Sequence, residues 1–373
     1  MSERRTLVIG AGISGLTAAA ALGQRGWDVL VIERRGEVAD HGGIGLTMVG
    51  NAMQALDRIG VARQCVDAGV PMDKVAICRP DGAHLLDDPM QPLGGVEWPA
   101  GTGMTRSDVH DILRRAAEKV AVIRCSTTVE AMRNAGDGVE VTFDNGSTDR
   151  FELVVAADGI YSQTRQWLMP QVKPQPTGQA VWRAEVPRPA GLYTTHLYPG
   201  GPPGFVGICP ISRDRAYLYI VQDMSGEPRE PSTLHLQMRA ELEGYGGLVA
   251  EAVQNLNAPE QVNYRPLEWL LAPRPWGQGR IVMIGDAAHA NPPTLAQGAA
   301  MGIEDAVVLA EELDATPGSI SDALARFADR RYPRARDVVE ISCRLSRWQV
   351  EKAHNADVIG EISRSHALLC EPA

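Results

Sequence analysis

A short apolar run meets a glycine-rich turn in Thr6-Leu7-Val8-Ile9-Gly10-Ala11-Gly12-Ile13-Ser14-Gly15. A helical pattern then continues to Gly26, and a second apolar run, residues 29–32, ends in Glu33. The order of strand, GxGxxG turn, helix, strand and terminal acidic residue is typical of a dinucleotide-binding βαβ unit. The sequence therefore predicts an α/β fold built on a Rossmann-like sheet.

The residues of this turn have separate physical tasks. Gly10 permits the tight turn, Gly12 lets the backbone approach a pyrophosphate, and Gly15 lets the helix pack closely on the strand. Glu33 is placed to accept hydrogen bonds from a ribose, and its charge repels the 2′-phosphate of NADP. We therefore predict that the bound dinucleotide is FAD or NAD. Arg34 follows Glu33 and either flanks the adenine or belongs to a solvated edge.

Two further strands end in acidic motifs. Residues 154–157 lead into Asp158-Gly159, and residues 281–284 lead into Gly285-Asp286. Beyond the second motif, Gln297-Gly298 opens a helix whose first N–H groups suit an anion or a polarised oxygen. Asp286 either accepts a hydrogen bond from a sugar hydroxyl or caps a helix. We expect both strand ends to converge on the ligand that the glycine-rich turn binds.

The composition is that of an ordinary globular protein, with 44% of the 373 residues hydrophobic and 22% charged. The formal net charge of -10 argues against nucleic acid or an anionic membrane as a partner. No run approaches the roughly 18 uninterrupted apolar residues of a transmembrane helix. The six cysteines are scattered without a CxxC pair, which predicts reduced thiols, no metal site and a cytoplasmic location.

The region between the last two motifs has a different character. Residues 179–186, 193–198, 205–211 and 216–221 follow the pattern of strands separated by turns. Residues 234–256 follow that of a helix, with a weak point at residues 244–247. We predict an antiparallel sheet with a cover helix, and a substrate where this sheet meets the nucleotide-binding part.

The polar candidates for that substrate site lie on the predicted strands. They are Arg183, His196, Tyr217 and Tyr219, while Thr47 approaches from the other side. For each of them an ordinary packing role is at least as good an interpretation.

The C-terminal part of the chain follows a helical pattern. Residues 320–331 and 333–352 are predicted as two helices, separated at Pro333. We interpret a set of arginines in this part as a basic, solvated face paired with nearby acids: Arg326, Arg330, Arg331, Arg334 and Arg336.

The three motifs occur in the order of a known flavoprotein family. GxGxxG comes first, Asp158-Gly159 with Ser162 and Arg165 comes next, and Gly-Asp-Ala-Ala-His from Gly285 with Gln297-Gly298 comes last. This order resembles the single-component FAD-dependent aromatic hydroxylases of the para-hydroxybenzoate hydroxylase type, over nearly the whole chain. At a finer level, residues 43–51 and 180–187 are most similar to the 6-hydroxynicotinate 3-monooxygenase group.

The resemblance implies a particular domain organisation. A Rossmann-like FAD-binding domain of the GR2 type carries an inserted antiparallel substrate sheet and C-terminal helices. Residues 1–72, 100–169 and 277–373 are expected to form the FAD-binding domain, and residues 73–99 and 170–276 the substrate-binding domain.

The resemblance also implies which residues bind FAD. The glycine-rich turn cradles the pyrophosphate, Glu33 holds the adenosine ribose, and Asp286 holds the ribityl chain. Asp158 is expected to serve both FAD and the nicotinamide donor. The full expected set is Gly10, Gly12, Ser14, Gly15, Glu33, Arg34, Arg106, Val129, Asp158, Gly159, Asp286, Gly298 and Ala299.

The implied activity is NAD(P)H- and O2-dependent hydroxylation through a flavin C4a-hydroperoxide. The substrate is an electron-rich aromatic or N-heteroaromatic ring of the phenol or hydroxypyridine type, carboxylates included. NADH or NADPH is a transient donor, since the chain has no second GxGxxG. Tyr217 and Arg183 are the expected catalytic residues, with Thr47, His196 and Tyr219 as substrate contacts. Tyr217 is expected on the ring oxygen, and Arg183 either on an anionic substrate or on the flavin edge.

Other functional classes fit less of the sequence. Flavin-dependent halogenases share the FAD fold, but their Trp-x-Trp-x-Ile-Pro signature is absent from the chain. A plain NAD-dependent dehydrogenase leaves the Asp158 and Asp286 motifs without a role. The remaining alternative is a non-hydroxylating flavoprotein, either an FAD-dependent dehydrogenase or a redox or ligand sensor. We expect a monomer or a homodimer.

Overall fold

A computed structural model describes residues 4–39, 43–90, 98–224, 226, 229–353, 356–371 and 373. Within these residues the strands are β1 Arg5–Ile9, β2 Asp28–Ile32, β3 Gly45–Val49, β4 Val70–Met72, β5 Lys74–Cys78, β6 His84–Pro89, β7 Gly101–Thr105, β8 Ala121–Arg124, β9 Val129–Ala135, β10 Gly138–Phe143, β11 Thr148–Phe151, β12 Leu153–Ala156, β13 Gln175–Pro187, β14 Thr195–Gly201, β15 Gly204–Pro210, β16 Arg215–Asp223, β17 Val262–Leu271, β18 Gly277–Gln278, β19 Ile281–Met283 and β20 His289–Ala290. The helices are α1 Ile13–Gly23, α2 Gly50–Arg58, α3 Ala62–Ala68, α4 Arg106–Glu118, α5 Gln163–Leu168, α6 Leu234–Glu241, α7 Gly247–Val253, α8 Gly298–Ala315, α9 Ile320–Val350 and α10 Val358–Cys370.

A parallel sheet brings the three sequence motifs together. Its strand order is β18-β19-β12-β1-β2-β8, and all neighbours run parallel except β18 and β19. Ile9 pairs with Ile32 on one side and with Ala156 on the other, and Ala156 pairs with Met283. Because parallel strands end at the same edge, the motifs after β1, β2, β12 and β19 meet there. The predicted Rossmann-like sheet is confirmed. The predicted strand ends lie at one edge, and their convergence on the ligand stays a prediction.

Both faces of this sheet are covered, as expected of buried parallel strands. Val8 points into a core that contains Leu16 of α1 and Leu309 of α8. Leu7, one residue earlier, points the other way into a second core with Phe143 of the β9-β10-β11 meander. Because side chains alternate along a strand, one side of the apolar strand β1 packs on helices and the other side packs on a small antiparallel sheet.

An eight-stranded sheet forms the other half of the molecule. Its order is β20-β17-β13-β16-β15-β14-β5-β6, and all neighbours are antiparallel except β14 and β5. Leu218 and Ile220 of β16 pack under Met238 of α6 and Val249 of α7. The predicted helix over residues 234–256 is two helices, α6 and α7. The helix is interrupted where the sequence reads Gly244-Tyr245-Gly246, because glycine favours turns over helix.

A small sheet, β3-β7-β4, joins the two halves. Backbone approaches backbone at this joint, since a Cβ atom on Gly103 of β7 would lie 2.1 Å from the carbonyl oxygen of Pro210 at the end of β15. Only a residue without a side chain fits that spacing.

The prediction of two helices separated at Pro333 is wrong. Helix α9 is 31 residues long and contains Pro333 in its interior, and α10 follows it. Packing on several sides offsets the loss of one backbone hydrogen bond, because Phe327, Ala335 and Val338 are all buried. Among the residues described, none of the helices combines the length and the apolar character needed to cross a bilayer.

Candidate active site

The glycine-rich turn leaves room for a ligand at one position and no room at the other two. Gly10 has a φ of 101°, and a Cβ atom there would lie 2.6 Å from the carbonyl oxygen of Ala157. A Cβ atom on Gly15 would lie 1.9 Å from the carbonyl oxygen of Gly10. Gly12 is exposed and has nothing within 4 Å of its Cβ position. The backbone at Gly12 is therefore open to a pyrophosphate.

Glu33 is held in position at the end of β2. Its carboxylate accepts hydrogen bonds from the N–H groups of Ala11, at 3.1 Å, and Arg35, at 3.0 Å. The carboxylate is half-buried and lies beside the turn, where a ribose next to the pyrophosphate would reach it. Arg34 is exposed, and Val129 is buried at the start of β9.

Asp158 has one satisfied and one unsatisfied oxygen. Its Oδ2 accepts a hydrogen bond from the N–H of Thr164 at 3.0 Å. Its Oδ1 is buried and has no partner among the residues described. A buried carboxylate oxygen without a donor is costly, so this atom is suited to a ligand hydroxyl or N–H.

The side chain of Arg165 connects the second motif to the third through hydrogen bonds. It is fully buried and donates to the carbonyl oxygens of Ala287 at 3.0 Å and Val172 at 3.3 Å, and also to that of Ile160. Ser162 accepts a hydrogen bond from the N–H of Arg165 and so caps α5. These two motif residues support the loops. They do not face the cleft, by which we mean the space at the edge of the parallel sheet where the three motifs meet.

Asp286 stands in the cleft next to the ends of β12 and β19. Surrounding protein raises the pKa of its carboxyl group, while His289 and Arg106 oppose the rise. The side chain remains exposed, so water limits that rise and the carboxylate is accessible to a ligand. The N-cap residue of α8 is Gln297, and the helix-capping interpretation of Asp286 is therefore wrong.

Helix α8 begins at the same cleft. Gly298 and Ala299 are its first residues, and their N–H groups have no acceptor within the helix. Ser14 of α1 lies behind them, since Cβ atoms on Gly285 and Gly302 would come within 2.5 Å and 2.1 Å of its Oγ. The hydroxyl of Ser14 thus packs between the third motif and α8, and its expected contact with the cofactor stays a prediction.

One face of the eight-stranded sheet carries the aromatic and cationic candidates. Arg183 of β13 pairs with Tyr219 of β16, so both side chains point the same way, and Tyr217 lies two residues along. The rings of Tyr217 and Tyr219 are 5.0 Å apart at an angle of 30°. Burial raises the pKa of Tyr217, with Arg183 and Arg106 opposing it, and burial also raises the pKa of Tyr219. Both phenols are therefore protonated donors at neutral pH.

Thr47 approaches this face from β3. Its Oγ1 lies 3.7 Å from the Sγ of Cys209, and Cys209 pairs with Tyr217 across β15 and β16. A Cβ atom on Gly45, two residues before Thr47, would lie 2.7 Å from the Cβ of Tyr217. The structure thus brings Thr47, Tyr217, Tyr219 and Arg183 together at the joint.

His196 does not belong to this group. It pairs with Ile208, whose side chain packs in the core under α6 and α7, so His196 points away from Tyr217 and Tyr219. Its Nδ1 lies 3.4 Å from the Sγ of Cys78, and burial lowers its pKa. The expected substrate contact of His196 is contradicted by the register of β14, and we remove it from the site.

A buried charge network lies behind the third motif. His289 and Gly285 both contact Asp305 of α8, which pairs with Arg331 of α9. Arg331 and Arg334 are buried, so the interpretation as a solvated face is wrong for these two, although both are paired with acids as expected. Arg326, Arg330 and Arg336 are exposed and paired with acids, in agreement with that interpretation. The sequence did contain a signal for this network. Adjacent acids, Glu304 and Asp305, interrupt an apolar helix, and buried acids need cationic partners.

These features together fit FAD. The open backbone at Gly12, the placed carboxylate of Glu33, the unsatisfied oxygen of Asp158 and the helix start at Gly298 line one edge of the parallel sheet. They provide donors for phosphates and acceptors for sugar hydroxyls, as an extended dinucleotide requires.

Comparison with known proteins identifies the class. Residues 3–342 match the family model described as FAD binding domain. YetM of Bacillus subtilis, a presumed FAD-dependent monooxygenase, is 30% identical over 96% of this chain and 97% of its own length. The 2-heptyl-3-hydroxy-4(1H)-quinolone synthase of Pseudomonas aeruginosa is 30% identical over 92% of this chain and 90% of its own length. The 3-amino-4-hydroxybenzoate 2-monooxygenase PtmB3 of Streptomyces platensis is 31% identical over 90% and 85%.

A solved structure shows the same fold. HpxO of Klebsiella pneumoniae, in complex with FAD and uric acid, superposes with a TM-score of 0.83 at 23% identity, over 99% of this chain and 93% of its own. The protein described here belongs to the FAD-binding domain family, and within it to the FAD-dependent monooxygenases. Its cofactor is FAD.

Proposed function

We propose that the protein hydroxylates an electron-rich aromatic or N-heteroaromatic ring, with O2 as oxidant and NADH or NADPH as transient donor. The observation that carries this proposal is the face formed by Arg183, Tyr217 and Tyr219, which meets β3 at the joint between the two sheets. Arg106 links this face to the cofactor edge, because its charge acts on both Tyr217 and Asp286.

Each residue on that face has a task in the proposed reaction. Bound FAD supplies the redox chemistry with O2 and the nicotinamide donor. Tyr217 donates a hydrogen bond to the ring oxygen and fixes the orientation of the ring, because its raised pKa keeps the phenol protonated. Arg183 stabilises the anionic form of the substrate, which is the more electron-rich form. The apolar group of Met72, Cys209 and Ile211 excludes water from the same joint.

The names of two relatives support this substrate class. One relative is named for a hydroxylated aminobenzoate and another for a hydroxylated quinolone. A phenolic carboxylate and an N-heteroaromatic ring therefore both suit the proposal, and a local cation such as Arg183 favours an anion in a chain of net charge -10. The finer resemblance to hydroxypyridine carboxylate hydroxylases belongs to the same proposal.

The domain organisation and the assembly are proposed with it. Residues 73–99 and 170–276, which supply seven of the eight strands of the large sheet, are the proposed substrate-binding domain, and residues 1–72, 100–169 and 277–373 are the proposed FAD-binding domain. The eighth strand, β20, comes from the proposed FAD-binding domain. We propose a monomer or a homodimer. Membership of a monooxygenase family favours hydroxylation over the non-hydroxylating flavoprotein considered from the sequence.

A panel of hydroxylated aromatic and N-heteroaromatic acids tests the proposal. The holoenzyme is mixed with NADH or NADPH, and donor oxidation, O2 consumption and products are followed for each compound. We expect at least one compound to stimulate donor oxidation and to gain one oxygen atom. Anaerobic stopped-flow reduction then assigns the donor. Failure of both donors to reduce the flavin with any compound present would remove the hydroxylase proposal.

A further inference from the structure

Asp305 occupies an unusual position for a charged residue. It lies two turns into α8, its side chain is fully buried, and it faces the loop that carries Asp286. One oxygen, Oδ2, accepts a hydrogen bond from the N–H of Gly285 at 2.9 Å and contacts the Nε2 of His289 at 2.6 Å. Asp305 therefore holds the backbone immediately before Asp286 and the side chain three residues after it.

The other oxygen of Asp305 is committed to a cation. Oδ1 accepts a hydrogen bond from the Nε of Arg331 at 2.7 Å, and Arg331 is itself fully buried. The Nη1 of Arg331 also approaches the Oε2 of Glu304 at 2.7 Å, although without the alignment of a hydrogen bond. Glu304 in turn pairs with Arg334 at 2.7 Å, so two buried acids are matched by two buried arginines.

The neighbouring acid holds the start of the same helix. Glu304 accepts a hydrogen bond from the Nδ2 of Asn51 at 2.8 Å, and Asn51 exchanges hydrogen bonds with Gln297 at 3.0 Å and 3.2 Å. Gln297 is the N-cap residue directly before Gly298. One pair of acids thus fixes both segments that face the cofactor: the loop with Asp286 and the first turn of α8.

We infer that Asp305 is a positioning residue for FAD, which sets the carboxylate of Asp286 relative to the N–H groups of Gly298 and Ala299. An α-helix rises about 1.5 Å per residue, so α8 separates Asp305 from Gly298 by about 10 Å as a rigid spacer. The ribityl chain and the flavin ring require these two contacts at a fixed separation. Asp305 acts through Asp286 and does not touch the cofactor.

An amide at position 305 separates this role from a general effect on folding. In Asp305→Asn the single amide oxygen is drawn to Arg331, because a hydrogen bond to a charged donor is the stronger one. The NH2 group then faces the backbone N–H of Gly285, and donor meets donor. In Asp305→Asn/Arg331→Met the cation is gone, and the oxygen is free to turn back to Gly285.

The test measures FAD release from diluted holoenzyme by flavin fluorescence, and the visible flavin spectrum alongside it. Neither readout needs a substrate, so the outcome of this test is independent of the proposed hydroxylation. We expect Asp305→Asn to weaken FAD binding by at least about 10-fold and to shift the flavin spectrum. We expect the double variant to return to within about 3-fold of the wild-type affinity.

Glu312→Gln is the matched control. Glu312 is also a buried acid of α8 with two arginine partners, Arg326 and Arg330, at 2.7 Å and 2.6 Å. In the part of the chain that the structure describes, its hydrogen-bond partners both lie on α9 and not on a cofactor-facing segment. Its FAD affinity should equal that of the wild type even where its thermal stability falls. A folded Asp305→Asn protein that retains FAD as well as Glu312→Gln overturns the inference. If Asp305→Asn does not fold, the double variant decides, and a folded double variant with 10-fold weaker binding contradicts it.

Discussion

At the scale of single residues, Gly12 and Gly15 separate cofactor binding from folding. A Cβ atom on Gly12 meets no protein atom within 4 Å, whereas one on Gly15 would lie 1.9 Å from a carbonyl oxygen. We expect Gly12→Ala to change the free energy of unfolding of the apoprotein by no more than about 1 kcal/mol and yet to abolish tight FAD binding. Gly15→Ala should cost about 1–3 kcal/mol or more through overpacking.

Urea unfolding of both apoproteins and a flavin titration check this pair. The opposite order, with Gly12→Ala unfolded and Gly15→Ala as stable as the wild type, would contradict the assignment of Gly12 to the ligand and of Gly15 to the helix–strand contact.

Tyr217 is the residue on which the proposed chemistry depends most. We expect Tyr217→Phe to lower the hydroxylation rate by about 10-fold or more, because a positioned hydrogen-bond donor contributes at least that much. FAD content should stay normal, and the fraction of donor electrons lost as H2O2 should rise, since the ring is held less well. Product, donor and peroxide are quantified in the same reaction.

Tyr193→Phe is the control for that measurement, because the side chain of Tyr193 is 73% exposed. It should match the wild type in rate and in peroxide yield. A Tyr217→Phe protein that also matches the wild type would make Tyr217 a packing residue, and Thr47 and Tyr219 would be the next candidates.

Residue positions follow most directly from the sequence where they depend on near neighbours. The turn from Gly10 to Gly15 and its partner Glu33 lie within one βαβ unit, so spacing alone places them. His196 was misplaced because the face of a strand residue depends on its register with a distant strand, and a shift of one residue exchanges the two faces. Arg331 was misplaced because a helix packed on several sides shows no polar face in its sequence.

At the scale of elements, the joint between β7 and β15 controls how closely the two halves approach. A Cβ atom on Gly103 would lie 2.1 Å from the carbonyl oxygen of Pro210 and 3.0 Å from the Sγ of Cys209. We expect Gly103→Ala to lower the free energy of unfolding by about 1–3 kcal/mol and to raise the peroxide yield, because the sheets must separate and admit water. Denaturant unfolding and a peroxide assay measure the two effects.

Gly191→Ala controls for the general effect of replacing a glycine. Gly191 is exposed, and its Cβ position has only one neighbour, an atom of Leu248 at 3.5 Å. Equal stability and equal peroxide yield in Gly103→Ala and Gly191→Ala would show that the joint tolerates an extra carbon.

At the scale of the whole molecule, the buried acids make stability depend on pH. Burial alone would raise the pKa of Glu304 and Asp305, but Arg331 acts on both, with Arg334 at Glu304 and His289 at Asp305, and holds each below its usual value. An acid with a depressed pKa in the folded state stabilises the fold above its unfolded pKa of about 4. That contribution is lost as the pH falls through the folded value.

The difference in stability between the wild type and Asp305→Asn should therefore shrink on acidification. We expect a difference of about 3–5 kcal/mol near pH 7, the usual effect of removing one charge of a buried ion pair. Below about pH 4 the difference should fall steadily, because Asp305 takes up a proton in the unfolded wild type while the folded protein still holds its carboxylate ionised. Urea unfolding across that range measures it, and a constant difference would argue against the depressed pKa.

The parallel pair of β14 and β5 has a consequence for the newly made chain. Val75 of β5 pairs with Thr195 of β14, so the partner of an early strand is synthesised much later. At about 5–20 residues per second, β5 and β6 wait for several seconds on the ribosome before they can enter their sheet. During that time the hairpin that carries Leu85 and Leu86 is not yet paired with the rest of its sheet. These apolar side chains stay about half exposed even in the folded protein. We therefore expect a chaperone that binds the nascent chain to bind this early hairpin. A chain released from the ribosome before residue 195 would keep an unpaired strand edge that is prone to aggregation.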